Sequence, residues 1–268
     1  MNKKEITGIA VGGLLHDIGK FAERSSLYAK GSATDVKKLF WRHHAFQTDQ
    51  VMAELFPEST EKTISHEVLG TSSLRHLAAR HHCPGNKLQC LIQCGDGLAA
   101  GHERQRKDPE AKQYSTADQT TKDQQPLISI LSRINLPEFK TSPPGHDRHY
   151  RIQVPCLKSD DLSDSLQMPD SMHPCPGSEY QSTAVQTDYP IHWRNFVKAL
   201  KPNPDAPSPF DLIDNFDTIL EICRLYQWCL PETTRRQDLS DVALFEQGIE
   251  TASTPARPAP HSYSETLT

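Results

Sequence analysis

The chain has 268 residues, an apolar fraction of 36% and a mean hydropathy of −0.61, which is poorer in apolar residues than an average globular protein. No stretch approaches the roughly 18 apolar residues of a membrane span, and the short apolar run near the amino terminus lacks an export cleavage site. A net charge of −5 excludes a broadly basic surface for duplex nucleic acid. Seven cysteines without a CxxC pair are typical of reduced thiols. We therefore expect a cytoplasmic protein with no membrane association.

Hydrophobic spacing predicts helices throughout the first hundred residues. One apolar stripe covers residues 4–24, and a second covers residues 35–55. A third helix is expected to begin at residues 72–73 and to run toward His81, and a fourth to begin near Asn86. Because no segment shows sustained strand alternation, the sequence predicts an all-α fold.

Composition divides the chain into four parts. Residues 1–105 form the predicted helical core, whereas residues 106–190 are polar and rich in proline, which predicts an irregular insertion. Residues 191–250 return to helical spacing and are expected to complete the domain, and residues 251–268 form a polar tail that is expected to be disordered. Outside the core, helices are predicted at residues 127–136, 191–200 and 210–230, and from residue 239 onward.

The strongest local signal is LLHDIGKF, in which His16 and Asp17 are adjacent. On a helix the two side chains point about 100° apart, close enough to bind one metal ion or two neighbouring ions. Apolar neighbours bury the pair, and this favours a cation as its partner over an incidental dipeptide on a surface helix. Gly19 is expected to let another backbone approach. Lys20 is a candidate phosphate contact, although a surface lysine is the favoured interpretation.

Three other features supply candidate ligands. One of His43 and His44 is expected to face inward, and a solvated or capping histidine is the alternative for that pair. The pair His81 and His82 lies where a helix should end, and Asp96 borders an apolar helix face, where a carboxylate needs a partner. Neutral imidazole suits Mn, Fe, Co, Ni or Zn, whereas Mg prefers oxygen ligands.

Three cysteines lie close to these histidines in the sequence. The spacing of Cys83, Cys90 and Cys94 does not fit a zinc knuckle. We therefore expect them to be small buried thiols.

The histidines and aspartates lie on separate predicted helices, and together they provide ligands for one or two divalent ions. Two ions about 4 Å apart activate a water and stabilise the leaving oxygen in the hydrolysis of phosphate esters. The sequence therefore predicts a metal-dependent phosphohydrolase.

The order LLHDIGKF, H-x-F, HH-x-P and GDGLAAGHER resembles the N-terminal HD domain of the type III CRISPR effector large subunit. The stretch FDTILEICRLYQWCLPETT, followed by DVALFEQ, is also similar to that family, so the resemblance covers about residues 1–105 and 210–252. It implies an HD-domain helical bundle of the circularly permuted type. It also implies that His16 and Asp17 are catalytic and that the metal ligands are His16, Asp17, His44, His81, His82 and Asp96.

The function that this resemblance implies is a nuclease of antiviral defence. It is a single-strand-specific deoxyribonuclease, cutting as an endonuclease or exonuclease, within an RNA-guided type III CRISPR effector complex that contains other subunits. One or two divalent transition-metal ions, Mn, Ni or Co rather than Mg, are the implied cofactors.

Two departures from the family pattern bear on this function. The position expected to hold a late histidine ligand is Gln247, a poor metal ligand, which predicts weaker occupancy of one metal site. The sequence has no GGDD motif and loses the resemblance after about Ala252. We therefore expect a truncated, split or frameshifted product that makes no cyclic oligoadenylate.

Two other functions are compatible with the sequence. A catalytically degenerate scaffold would keep the fold and show no metal-stimulated hydrolysis. An unrelated HD phosphohydrolase would cleave nucleotides in preference to DNA chains.

Overall fold

The structure, a computed structural model, describes residues 3–25, 27–28, 31–57, 73–104, 149–150, 174–175, 189–201, 211–228, 230 and 243–253. Within these ranges the helices are α1 (Lys3–Leu14), α2 (Ile18–Ser25), α3 (Ala33–Leu39), α4 (His43–Leu55), α5 (Leu74–Ala79), α6 (Lys87–Arg104), α7 (Tyr189–Leu200), α8 (Phe216–Gln227) and α9 (Leu244–Ser253). The strands are β1 (His149–Tyr150) and β2 (Pro174–Cys175), which pair antiparallel.

The fold is all-α, as the sequence predicts, apart from this pair of two-residue strands inside the expected insertion. The predicted helix at 127–136 and the predicted disordered tail lie outside the described residues. In the part of the chain that the structure describes, no helix combines the length and apolar character needed to cross a bilayer.

The single helix predicted over residues 4–24 is wrong, because the chain turns between α1 and α2. Residues 15–17 form a turn with short backbone hydrogen bonds: Ile18 N donates to Leu15 O at 3.2 Å, and Lys20 N donates to Asp17 O at 2.9 Å. These i→i−3 bonds are tighter than those of an α-helix. His16 and Asp17 therefore lie in a tight turn rather than along the side of a helix.

The single helix predicted over residues 35–55 is also divided. Phe40 is buried at the end of α3, and Trp41 then adopts a positive φ of 65°, which stops the helix because a left-handed residue cannot continue it. The new helix α4 begins at His43, so this break places the second pair of histidines in the first turn of a helix.

The third and fourth predicted helices are confirmed, and their starts are capped by polar side chains. Ser73 Oγ accepts a hydrogen bond from His76 N at 3.1 Å, and Asn86 Oδ1 accepts one from Gln89 N at 3.0 Å. Such caps satisfy backbone donors that have no partner within the helix. The Asn86 cap fixes the end of the short segment between α5 and α6 that carries His81 and His82.

The helices predicted after residue 190 are observed as α7, α8 and α9, with α8 shorter than the predicted 210–230. It begins at Phe216 because residues 212–215 form a turn that Asp211 stabilises by accepting a hydrogen bond from Ile213 N at 2.7 Å. Helix α9 packs closely on α1: a Cβ added at Gly248 would lie 2.8 Å from Leu14 O. This close approach brings the late segment of the chain next to the α1–α2 turn.

One hydrophobic core joins the early and late helices. Phe21 of α2 packs edge-on against Trp193 of α7, with ring centroids 4.8 Å apart, and also contacts Phe196. All three side chains are buried. Aromatic burial of this size is a major part of core stability, and here it fixes α2, the helix that follows the His16–Asp17 turn.

Candidate metal centre

The α1–α2 turn places His16 between two carboxylates. His16 Nδ1 donates to Gly13 O at 2.7 Å, which leaves Nε2 as the inward-facing nitrogen. That Nε2 lies 3.3 Å from Asp17 Oδ2 and 3.5 Å from Asp96 Oδ1. A backbone carbonyl on one ring nitrogen fixes the tautomer and orients the other nitrogen, as in many metal-binding histidines.

His81 repeats this arrangement from the end of α5. Its Nδ1 donates to Ala78 O at 2.8 Å, and its Nε2 lies 3.6 Å from Asp17 Oδ1. His16 and His81 are both fully buried, and their rings meet edge-on with centroids 4.8 Å apart. Two inward-facing imidazole nitrogens therefore converge on the same carboxylates.

His44 and His82 form the more open side of the cluster, because both are only partly buried. Their Nε2 atoms lie 2.9 Å apart, and His44 Nε2 lies 3.4 Å from Asp17 Oδ1. The neighbouring His43 is exposed. The structure thus turns His44, the member of the pair chosen from the sequence, toward Asp17.

Gly19 allows α2 to lie against the start of α4. A Cβ at this position would be 1.8 Å from His44 O, so only glycine fits, and the expected close backbone approach is confirmed. Gly19 N donates to Thr48 Oγ1, which in turn donates to His16 O, both at 3.0 Å. Thr48 therefore joins the HD turn to α4, a role that sequence reasoning missed because a single threonine on a helix gives no signal.

The six candidate ligands form two overlapping groups of donor atoms. One contains Asp17, His44, His81 and His82, and the other contains His16, His81 and Asp96; within each group the donor atoms lie within 4.8 Å of one another. His81 belongs to both. The structure therefore brings together all six residues named from the sequence, in an arrangement with room for one ion or two adjacent ions.

Lys20 is buried at 8% exposure, and its Nζ lies 2.5 Å from Asp17 Oδ2. The surface-lysine interpretation is therefore wrong. Although burial raises the pKa of Asp17, the Lys20 ammonium and His16 outweigh it and hold that pKa well below its usual range. Asp17 is consequently an ionised carboxylate, the form that binds a cation.

The histidines of the cluster differ in charge. Burial, assisted by the positive charge of His16, lowers the pKa of His81 to about 3, and burial also lowers the pKa values of His44 and His82. Burial alone would lower the pKa of His16 as well, but Asp17 and Asp96 raise it to about 10. His44, His81 and His82 are therefore neutral, the form in which one ring nitrogen carries a lone pair, whereas a metal ion would displace a proton from His16.

The residues present fit a divalent cation. His16 Nε2, His81 Nε2 and Asp17 Oδ1 are buried and have no hydrogen-bond partner among the described residues. Leaving such groups unsatisfied is costly, and each of the three belongs to a donor group that could hold a cation. The mixed nitrogen and oxygen donor set is one that transition-metal ions accept.

Gln247 of α9 lies beside this cluster, although it is far away in sequence. It is buried, its Nε2 donates to Asp96 Oδ1 at 3.1 Å, and its Oε1 has no hydrogen-bond partner within the described part of the chain. The family resemblance predicts a histidine at this position. The structure places the glutamine side chain directly against one of the carboxylates of the cluster.

The cysteines near the cluster differ from expectation. Cys83, Cys90 and Cys94 are exposed, so the prediction of buried thiols is wrong. The three cysteines lie on the outward side of α6 and in the turn before it, whereas Ile92 of that helix is buried in the core.

The chain is similar in sequence to known proteins. Residues 3–123 match the HD domain family. The chain is 23% identical over 270 residues to the CRISPR system single-strand-specific deoxyribonuclease Cas10/Csm1 (subtype III-A) of Methanocaldococcus jannaschii, and the match covers 94% of this chain and 28% of that protein. The chain thus spans a little over a quarter of its relative.

Two solved structures are also similar to the chain. One is a Csm1–Csm4 cassette in complex with cA4 (16% identity, TM-score 0.49), and the other is the same cassette in complex with pppApApA (15% identity, TM-score 0.46). Each match covers 95% of this chain and 28% of the other. Residues 3–123 therefore match an HD domain, and the chain is similar to the Cas10/Csm1 protein of a type III CRISPR system.

Proposed function

We propose that this chain is a metal-dependent nuclease that cuts single-stranded DNA as part of an RNA-guided type III CRISPR effector complex. The observation that carries the proposal is the pair of converging, partly buried donor groups that share His81. The single-strand specificity stated in the name of the Cas10/Csm1 relative supports this choice of substrate. The proposed setting is antiviral defence in the cytoplasm, with the other subunits of the complex as partners.

The residues of the cluster have distinct proposed roles. His16, His81 and Asp96 would hold one ion, and His44 and His82 would extend the site toward a second. Asp17 bridges the two groups, and Lys20 keeps it ionised and oriented; Lys20 is also a candidate contact for a substrate phosphate. A bound divalent ion supplies Lewis acidity toward a phosphoryl oxygen and lowers the pKa of water. We propose Mn, Ni or Co rather than Mg because imidazoles provide most of the ligands.

The test is cleavage of a labelled single-stranded oligonucleotide in Mn²⁺ and in EDTA. We expect metal-dependent cutting by the full chain and a loss of at least about 100-fold in the His16→Ala/Asp17→Ala variant, since even indirect partners of metal ligands are worth 10–100-fold. His43→Ala is the matched control, because His43 is the exposed neighbour of His44. Helix content by circular dichroism shows whether each variant is folded. Equal cutting by the double variant and the wild type would remove the HD turn from the mechanism.

Gln247 favours one other candidate, a catalytically degenerate scaffold. Its amide donates to Asp96 at the position where the family resemblance expects a ligand. A scaffold predicts no cutting by the folded, metal-loaded chain. Supplying deoxynucleoside triphosphates in the same assay tests the less favoured HD nucleotide phosphohydrolase, which would hydrolyse them in preference to the DNA chain.

A further inference from the structure

The turn between α3 and α4 exposes a tryptophan in a strained backbone conformation. Trp41 has φ 65° and a relative exposure of 58%, while the adjacent Phe40 is 4% exposed. Glycine or asparagine usually occupies a left-handed position at the end of a helix, and a bulky residue there is strained. Strain of this kind is concentrated at functional sites, and an exposed indole has no role in the core.

Basic residues flank this tryptophan in the sequence. Lys37, Lys38 and Arg42 are exposed, and Lys37 Nζ lies 6.0 Å from the centroid of the Trp41 ring. Between residues 36 and 43 the sequence contains these three cations and no acidic residue, although the whole chain carries a net charge of −5. We call residues 37–43 the basic turn; its charge complements a polyanion.

The basic turn lies beside the open side of the metal centre. Phe40 packs in a small cluster with Ala45 of α4 and Ala79 at the end of α5, and His81 follows two residues after Ala79. Trp41 and His44 are three residues apart, so their Cα atoms are separated by at most about 11 Å. His16 and His81 are fully buried, whereas His44 is partly exposed, so the centre is accessible from the side where the basic turn lies.

We propose that the basic turn is a binding surface for single-stranded DNA, in which the Trp41 ring stacks on a base and Lys37, Lys38 and Arg42 contact phosphates. Aromatic rings combined with cations are the usual means of binding single strands without sequence preference. The surface would hold the strand so that a neighbouring phosphodiester reaches the donor cluster. This inference rests on the proposed nuclease function and deepens it by naming where the substrate is held.

Binding in EDTA tests the surface without cleavage. A fluorescein-labelled 20-nucleotide oligothymidine is titrated with the full chain, and anisotropy and intrinsic tryptophan fluorescence are followed. Trp193 is buried and Trp228 is partly buried, so Trp41 is the most exposed of the three indoles. We expect binding with quenching, about tenfold weaker binding in Trp41→Ala, and retention of most affinity in Trp41→Phe, since base stacking on an aromatic ring is worth about that factor or more. Ile191→Ala, at an exposed apolar residue of α7, is the control.

Two further variants separate binding from folding. Trp41→Gly removes both the ring and the backbone strain, so we expect an equal or higher melting temperature together with weak DNA binding. Lys37→Gln/Lys38→Gln should make the slope of log affinity against log salt less steep by about 1.4, because each phosphate contact on a single strand contributes about 0.7. Loss of an ordinary structural contact would change neither readout in this way.

The outcomes keep the two proposals apart. DNA binding that depends on Trp41, without cutting in Mn²⁺, would support the surface and contradict the nuclease. Cutting that is lost with His16→Ala/Asp17→Ala, together with unchanged oligothymidine affinity in Trp41→Ala, would support the nuclease and overturn the surface. The proposed surface would also be overturned if the wild-type chain did not bind oligothymidine. The same holds if the basic turn were needed only for assembly with other protein subunits.

Discussion

Helix α2 separates two buried regions that contain the same kind of side chain in opposite settings. On one side, His81 faces Asp17 and the other ligands of the candidate metal centre. On the other side, His192 lies between aromatic rings, 5.3 Å from Phe21 and 5.1 Å from Tyr226, with its Nε2 bonded to Tyr226 O at 2.9 Å. Both histidines are fully buried. Burial alone therefore says nothing about a histidine's role, and its neighbours decide it.

The two regions also differ in what completes them. The aromatic region is closed by packing, with rings that fill the space between α2, α7 and α8. Buried polar atoms without a hydrogen-bond partner among the described residues occur in both regions. Those of the metal centre belong to side chains whose donor atoms converge, whereas Tyr226 Oη belongs to a ring packed on Phe196. We expect the first region to determine the stability of the chain and the second to determine its response to metal.

The largest expected effect is on stability and comes from the aromatic side. Phe21→Ala should lower the free energy of unfolding by about 3–5 kcal/mol, because it removes a fully buried ring and leaves a cavity. Urea denaturation followed by circular dichroism measures this change. Ile191→Ala, at an exposed position, should change it by less than about 0.5 kcal/mol. A loss below about 1 kcal/mol for Phe21→Ala would contradict the assignment of this region as the main core.

On the polar side, added metal should stabilise the chain. At a free Mn²⁺ concentration 100 times its Kd, the free energy of unfolding should rise by about 2.7 kcal/mol, because the ion binds only the folded arrangement of ligands. His81→Ala should remove most of this gain, since His81 belongs to both donor groups, whereas His43→Ala should keep it. Thermal melts with and without Mn²⁺ make the comparison, and an equal gain in both variants would contradict the proposed ligand set.

Some features of the polar side could be predicted from the sequence and others could not. The ligands on the polar side were named from residue type and motif, because metal binding needs particular atoms. The division of the first two predicted helices was missed: apolar spacing continues through the tight turn at His16 and through Trp41, and periodicity carries no information about backbone dihedral angles. The burial of Lys20 was missed for a related reason, since it depends on a partner, Asp17, whose position is set by that same turn.

Gln247 shows what a sequence motif does not predict about the site. The resemblance marked this position as a missing ligand, but only the structure shows the amide bonded to Asp96. That contact depends on the packing of α9 against α6, where a Cβ added at Gly95 would lie 2.8 Å from Thr251 O, a long-range arrangement that no local pattern specifies. In this position Gln247 orients the carboxylate of Asp96 by a hydrogen bond, in place of the histidine that would bind the metal directly.

A substitution at Gln247 should change the affinity of the centre for Mn²⁺. Gln247→His introduces an imidazole next to Asp96, and we expect Mn²⁺ affinity to rise about tenfold, equivalent to about 1.4 kcal/mol. Gln247→Leu is the matched control, because leucine fills a similar volume without a ligand atom and should give no increase. Isothermal titration calorimetry gives both affinities. The same affinity in the histidine and leucine variants would show that this position does not reach the ion.

The smallest expected effect concerns an ion pair at the edge of the aromatic region, where Tyr28 also accepts a hydrogen bond from Trp193 Nε1 at 3.3 Å. Glu54 of α4 accepts hydrogen bonds from Tyr28 Oη at 2.6 Å and from Lys201 Nζ at 2.7 Å. Burial raises the pKa of Glu54, but these two partners outweigh it and lower that pKa below its ordinary value. Because the side chain is 39% exposed, solvent screening limits its contribution to at most about 1 kcal/mol.

The sign of the pH dependence follows from that lowered pKa. A carboxylate that is more acidic in the folded chain adds stability above its unfolded pKa of about 4.3, and the gain is lost as the pH falls through the folded value. Glu54→Gln should therefore be less stable than the wild type at pH 7 by up to about 1 kcal/mol, and the difference should shrink as the solution is acidified. Urea midpoints of both proteins, measured from neutral pH down to the lowest pH at which the fold persists, test this. A difference that grew on acidification would contradict the lowered pKa, because it would mean that the fold stabilises the protonated form of Glu54 and not the carboxylate bonded to Lys201.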